Sequence, residues 1–263
     1  MTSFHSTYEP KHLVSEPKYF TTEQLALIDP LRVPKHVAII PDGNRRWARK
    51  RLQHIDEGHR EGADNLISIV RAAKELGVKA VTFYLFSTEN WLRDQAEVQA
   101  LMWLLEQFLM EQRQEMIDGG MRLQTIGELS ALPESTNRVI KEIKEATAHC
   151  DKIEMIAALN YGSRDEIQRA FKKMLHDYDS KKITCDAVNE KLISSYLDTS
   201  PWGDPELLIR TSGEARVSNF LLWQISYAEI FIVDDLWPDF RAKHLWDAIR
   251  FYQSRERRMG GGA

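Results

Sequence analysis

The chain has 263 residues, 43% of them hydrophobic, and carries a formal net charge of −4 at pH 7. That length suits one large core rather than several small domains. The acidic balance, with a pI near 6.1, argues against a sequence-independent nucleic-acid binder, and the sequence holds no apolar run long enough to span a bilayer.

Residues 1–32 are polar, mix both charges and lack the apolar stretch of a signal peptide. They are expected to be a loosely held arm ahead of a domain over 33–263. Val37–Ile40 is a short continuous apolar run, as in a strand buried on both faces. It meets the turn residues Pro41–Asn44, and Arg45–Lys50 then opens a helix. Ala63, Leu66, Ile67, Val70, Ala73 and Leu76 have helical spacing over 60–76, closed by Gly77. Ala80–Phe86 predicts a second strand, and a long helix should cover about 95–118, stopped by Gly119–Gly120. A third strand is expected at Arg122–Ile126 and a helix from Pro133 to Ala148, with proline at its start. Ile153–Leu159 predicts a fourth strand, and helices follow at about 164–178 and 186–197. Glu206–Arg210 and Phe231–Val233 complete six strands, before a last helix over about 241–258. Cys150 and Cys185 lack metal-type spacing and fit a reducing, cytoplasmic setting.

This alternation predicts an α/β fold: a single domain with a mainly parallel six-stranded sheet flanked by helices. Ligands bind such sheets at the carboxyl ends of the strands. Four of those ends carry polar signatures.

In Asp42-Gly43-Asn44-Arg45-Arg46, glycine lets backbone N–H groups approach an anion and the arginines add permanent charge. Asp42 repels phosphate, a conflict that Mg²⁺ bridging carboxylate and phosphate oxygens removes; the alternative is a helix-capping Asp beside solvated arginines. Arg210 to Ser218 places two arginines and a serine around Gly213, which suits a diphosphate or an ordinary ion-paired loop. Two such cradles suggest two phosphorylated substrates. Phe86–Arg93 mixes hydroxyls, an amide and an arginine with aromatics, as a ligand with a polar head and an apolar body requires. The apolar stripe Leu101, Leu104, Leu105 and Phe108 on the following helix is a candidate lining for that body, or simply core. Glu229, in an apolar stretch, needs an arginine or a metal as partner.

Taken together, these blocks resemble the cis-prenyltransferase (undecaprenyl diphosphate synthase-like) family. Ile39–Trp47 is similar to its signature loop. Phe86–Trp91, Ala158–Gly162, Leu208–Gln224 with Tyr227–Glu229, Trp237–Phe240 and Arg257–Gly261 match further blocks in order. The resemblance implies a homodimeric, Mg²⁺-dependent enzyme that joins isopentenyl diphosphate to an allylic diphosphate, usually farnesyl diphosphate. Undecaprenyl diphosphate, a cell-wall lipid carrier, is the default product. Membrane contact would be peripheral at most.

By the same resemblance Asp42 is the essential carboxylate and Asn90 assists proton removal. Gly43, Asn44, Arg45, Arg46, Trp47 and His59 surround the allylic diphosphate, with Ser87, Thr88, Glu89, Trp91 and Arg93 around Asn90. Arg210, Arg216, Val217 and Ser218, with the terminal Arg258 and Gly260, hold isopentenyl diphosphate. Asp42 and Glu229 hold Mg²⁺. The chain departs from common members at Arg45 (often glycine), Ile55 (often arginine, so that one phosphate contact is either absent or replaced by His54), Ala215 (histidine in some) and Ser163 (commonly glycine). Leu85 is bulkier than the small residue often found there and would limit chain length if it faced the channel.

Two other readings compete. A trans-prenyl synthase needs acidic motifs within helices, whereas Asp234-Asp235 follows a strand and precedes Pro238. A non-catalytic partner subunit or diphosphate-binding regulator would not need the Asp42 loop that this chain keeps.

Overall fold

The computed structural model describes residues 19–256. Six strands form one sheet: β1 (His36–Ile40), β2 (Ala80–Ser87), β3 (Met121–Ile126), β4 (Ile153–Tyr161), β5 (Leu207–Arg210) and β6 (Glu229–Ile232). Their order is β3-β4-β2-β1-β5-β6, and every pair is parallel. The helices are α1 (Thr22–Ala26), α2 (Asn44–Lys50), α3 (Ile55–Glu75), α4 (Gln95–Glu111), α5 (Arg113–Asp118), α6 (Glu134–Ala146), α7 (Ser163–Asp179), α8 (Glu190–Ser195) and α9 (Ala242–Ser254).

The strands read as continuous apolar runs because both faces of the sheet are covered. Val37 and Ile39 face a large core shared with residues of α3, α4, α5, α6 and α9, while Ala38 and Ile40 face a smaller one built with Phe220, Leu221 and Ile225. The segment that carries those three is tied to α7: Ser163 Oγ accepts from Leu222 N at 2.7 Å, and Gln224 Nε2 donates to buried Glu166 at 3.0 Å.

The helix expected over 95–118 is two helices, broken at Gln112. Strand β4 runs two residues past its expected end at Leu159, through Asn160 and Tyr161. The expected loose arm is packed from Tyr19 onward. Phe20 and Ile28 are buried, Tyr19 N donates to Glu75 Oε2 at 2.8 Å, and Gln253 Nε2 donates to Asp29 O at 2.8 Å. Two apolar anchors in a polar stretch suffice to dock it. Among the described residues no helix is long and apolar enough to cross a membrane.

From β1 the chain moves to β2 on one side, and from β5 to β6 on the other. The carboxyl ends of β1 and β5 therefore flank a topological switch point, where a crevice opens.

Candidate functional site

Asp42 stands two residues past β1. Its carbonyl accepts from Thr211 Oγ1 at 2.7 Å and from Trp237 N at 3.0 Å, so the loops after β1, β5 and β6 fix one another. Gly43 has φ +114°, and a Cβ there would come within 2.9 Å of Leu236; only glycine takes this turn without strain. Ser212 N donates to Asp235 O at 2.8 Å and Gly213 N to Val233 O at 2.9 Å, which pins the loop after β5.

Arg210 ends β5 with its side chain only 4% exposed, against 27% for Asp42. Its Nη2 donates to Asp42 Oδ2 at 2.8 Å; its Nη1 donates to Ser218 Oγ at 2.8 Å and to the carbonyl of Arg216. Arg46 lies 3.4 Å from Asp42 Oδ1 and 3.2 Å from Glu214, and donates to the Ser212 hydroxyl. The Asp42 carboxylate thus sits between two guanidinium groups.

These groups line a cleft of about 820 Å³ with two unlike ends. Asp42, Gly43, Asn44, Arg45, Arg46, His59, Ser87, Glu89, Asn90, Arg93, Arg210 and Ser218 form the polar end. Leu66, Leu85, Leu101, Leu104, Leu105 and Phe108 line the rest, so the apolar stripe of α4 faces the cleft as well as the core. Leu85, Leu105 and Phe108 also border a gap too narrow to hold a water molecule, which Leu123, Ile140 and Met155 line as well.

Several buried polar atoms of the polar end have no partner among the described residues: Asn44 Oδ1, Arg45 Nε, His59 Nε2 and Arg210 Nε. Buried polar groups are ordinarily hydrogen-bonded, so this concentration marks where a polar ligand belongs. His59 is held down to about pKa 4, first by burial and then by the nearby Arg93 charge, so it is neutral at neutral pH. Burial works to raise the pKa of Glu89, but hydrogen bonds led by that from Asn219 outweigh it and hold the carboxyl below its usual range. Asn90 turns back on its own loop, its Oδ1 accepting from Ser87 N at 3.0 Å.

Some expected site residues stand apart from the cleft lining. Trp47 donates to Asp239 at 2.8 Å, with the Arg51 guanidinium 4.0 Å over its ring. Trp91 donates to Asn160 Oδ1 at 2.8 Å and packs edge-on to Phe86. Thr88 lies against Gly162, Arg216 is exposed and paired with Glu214, and Val217 packs on the smaller core. His54 turns to Asp56 at 2.9 Å and does not line the cleft, so it does not replace the arginine missing at Ile55. Arg258 and Gly260 lie outside the described residues.

Glu229 is corrected. It opens β6 opposite Leu207, three residues back from the level of Arg210, which is about 10 Å along a strand. Its carboxylate takes the Arg255 guanidinium at 3.2 Å. Glu229 and Asp42 of one chain therefore do not converge on one ion; the ion-pair alternative describes Glu229. Among the described residues no three His, Cys, Asp or Glu side chains converge as a metal cage.

Two contributors escaped sequence reasoning. Glu97 holds Arg93 at 3.1 Å and Arg45 at 3.6 Å; its signal was the four-residue spacing from Arg93. Asn219 lines the cleft and bonds to two other segments, the start of α7 and the loop after β2, which no local pattern announces.

A parallel α/β sheet with a half-cationic, half-apolar cleft at its switch point agrees with what comparison shows. The family model described as "Putative undecaprenyl diphosphate synthase" matches residues 40–260, and the chain belongs to this prenyltransferase family. It is 51% identical over 232 residues to the isoprenyl transferase of Chlamydia trachomatis, spanning 87% of this chain and 92% of that one. The Bacillus cereus isoprenyl transferase is 47% identical over 229 residues, spanning 87% and 89%. Among solved structures, lavandulyl diphosphate synthase from Lavandula x intermedia, in complex with dimethylallyl diphosphate, superposes with a TM-score of 0.83. The two are 34% identical, over 86% of this chain and 98% of that one.

Proposed function

We propose that the chain elongates cis-prenyl chains, condensing isopentenyl diphosphate with an allylic diphosphate, farnesyl diphosphate as primer, to a long polyprenyl diphosphate. The observation that carries this reading is the two-ended cleft: a cationic head site continuous with an apolar body site. An allylic diphosphate has that same division. We assign undecaprenyl diphosphate, a lipid carrier for cell-wall synthesis, as the product class, and the cytoplasm as the place of action.

The donor set fits Mg²⁺ shared with a diphosphate. Mg²⁺ is usually held by one or two carboxylates together with substrate phosphates and water, and Asp42 offers one carboxylate at the cleft's cationic end. When bound there, Mg²⁺ would neutralise charge that develops on the departing diphosphate. The chain's own residues do the rest. Arg45 and Arg46 would bind the diphosphate of the primer, and Arg210, Arg216 and Ser218 that of isopentenyl diphosphate. Fixed cations stabilise a leaving group without reorganising at the moment of reaction. As the allylic C–O bond breaks and diphosphate departs, the isopentenyl double bond attacks the freed carbon, and the released diphosphate accepts the proton that the adduct then loses. The nucleophile is a weak alkene, so register between the two substrates carries much of the rate. The Asn90 amide is too weak a base to take that proton, and its place is to orient the acceptor. Neutral His59 would bind as a hydrogen-bonding group rather than as a cation.

A homodimer is part of this reading. Ile167, Phe171, Leu175 and Tyr178 form an exposed apolar stripe along α7, with Phe171 at 60% exposure, and such stripes on otherwise polar surfaces mark interfaces. The partner-subunit and regulator readings are less well supported, because they give the Asp42 carboxylate only its ion pairs with Arg210 and Arg46 and no chemistry at the cleft.

The test is incubation of the purified chain with Mg²⁺, farnesyl diphosphate and labelled isopentenyl diphosphate, with products sized by chromatography. A long, EDTA-sensitive polyprenyl product is expected. Absence of product with every allylic primer tried would overturn the reading.

A further inference from the structure

Asn219 is the meeting point of three loops at the carboxyl ends of the strands. Its carbonyl accepts from Ser163 N at 2.8 Å and its Oδ1 from Arg164 N at 3.0 Å, both at the start of α7. Its Nδ2 donates to Glu89 Oε1 at 2.9 Å, 130 residues away in the loop after β2. A Cβ on Gly162 would meet Asn219 Nδ2 and Thr88 Oγ1, each at 2.7 Å, so that glycine leaves the room this junction needs.

The backbone at this point is unusual. Ser218 and Asn219 are consecutive left-handed residues, with φ +48° and +62°. Asparagine adopts that conformation more readily than serine does. The Asn219 bonds therefore hold a turn that Ser218 would not keep unaided. Ser218 Oγ in turn receives Arg210, which reaches Asp42. A continuous chain of bonded groups thus runs from Glu89 through Asn219, Ser218 and Arg210 to Asp42.

We propose that Asn219 is a positioning residue that holds the Ser87–Arg93 loop and the Arg216–Ser218 turn in register, so that the two diphosphate cradles keep one fixed spacing. The role rests on the two-substrate reading given above. Bond formation between two separately held substrates is sensitive to displacements of about 1 Å, so a junction between the cradles controls turnover more than binding of either substrate alone.

The test is a double-mutant cycle on the full chain. Asn219→Asp keeps the acceptor for Arg164 N but sets a second carboxylate against ionised Glu89. Adding Glu89→Gln restores a donor–acceptor pair of reversed direction. Steady-state kcat and both KM values are measured, together with amide exchange of segments 86–93 and 216–222 without substrate. Asn219→Asp is expected to lower kcat by about tenfold or more with smaller changes in either KM, and to speed exchange in both segments. The double variant should return kcat to within about threefold of Glu89→Gln alone. Unchanged kcat in Asn219→Asp, or no recovery in the double variant, overturns the proposal. Should Asn219→Asp not fold, Glu89→Ala breaks the same bond from its other side, and unchanged exchange at 216–222 in that variant overturns it equally. A wild-type chain that made no product would refute the activity, while the exchange measurements would still decide the role of Asn219.

Discussion

Replacing Asp42 by alanine separates two tasks that one carboxylate performs. In the free protein it is the ionic partner of Arg210, whose side chain is almost fully buried. Removing one member of a buried pair typically costs about 3–5 kcal/mol. Here the cost is smaller, because Asp42 is partly exposed and Arg210 keeps Ser218 Oγ and the Arg216 carbonyl. We expect about 2–3 kcal/mol, which lowers Tm by roughly 5–10 °C in a chain of this size. Native stabilities lie around 5–15 kcal/mol, so the variant stays folded at 25 °C. Turnover is expected to fall about a thousandfold or more, since both the metal contact and the pre-set arginine geometry go. Asp42→Asn preserves the shape and an acceptor for Arg210. It should recover much of the Tm and almost none of the turnover. Thermal melts and the labelled isopentenyl diphosphate assay, run on both variants, decide the matter. Turnover within about tenfold of wild type in Asp42→Ala, alongside the expected Tm loss, would reduce Asp42 to an ion-pair partner and refute the mechanism.

Leu105→Trp fills the cleft beside Leu85 and Phe108 and should shorten the products, whereas Leu85→Ala removes bulk from the cleft wall and should lengthen them. Unchanged product length in both variants would remove α4 and Leu85 from the chain-length boundary. A Cβ at Gly58 would stand 2.2 Å from the Asn44 carbonyl oxygen, so Gly58→Ala must push α2 off α3. It should cost about 1–3 kcal/mol in urea melts and raise KM for the allylic diphosphate; a wild-type midpoint would show that α2 moves freely. Phe171→Asp on the α7 stripe should shift the chain toward monomer in light scattering at micromolar concentration, and a persistent dimer would place the interface elsewhere. His36 and His59 are both held down to about pKa 4, chiefly by burial. The unfolded chain therefore binds more protons between pH 6.5 and 4. Their stabilising share is complete above pH 6.5 and is lost as pH falls toward 4, at most about 3 kcal/mol for each. Urea melts at pH 7, 6 and 5 should show the decline, and a flat profile would contradict it.

Much of this architecture was readable because the inner strands are buried on both faces. Val37–Ile40 and Ala80–Phe86 are apolar without interruption, and the polar residues that follow them fall where the crevice opens. Edge positions read poorly. β6 begins at Glu229, two residues before its expected start, because an edge strand is half-exposed and its pattern is mixed. The break at Gln112 carries neither glycine nor proline, so nothing local announces it. Cleft residues such as Asp42 and Arg210 were legible as types suited to phosphate chemistry, but their pairing across 168 residues was not. Asn219 shows the same limit more sharply, since its partners belong to two other strand-end loops and its left-handed backbone depends on them.

The docking of residues 19–32 on α9 also bears on how the chain acquires its fold. Asp29 exchanges hydrogen bonds with Gln253 across 224 residues, Trp246 donates to Gln24 O, and Arg250 to Leu27 O. The first described segment is thus completed by the last described helix. During synthesis residues 19–32 emerge early, and their bonds to Trp246, Arg250 and Gln253 wait until α9 has been made. Contacts between such distant segments form late and slow the final stage of folding. Until then Phe20 and Ile28 remain exposed apolar side chains in an otherwise polar segment. Docking of residues 19–32 is accordingly among the last contacts of the described fold to form.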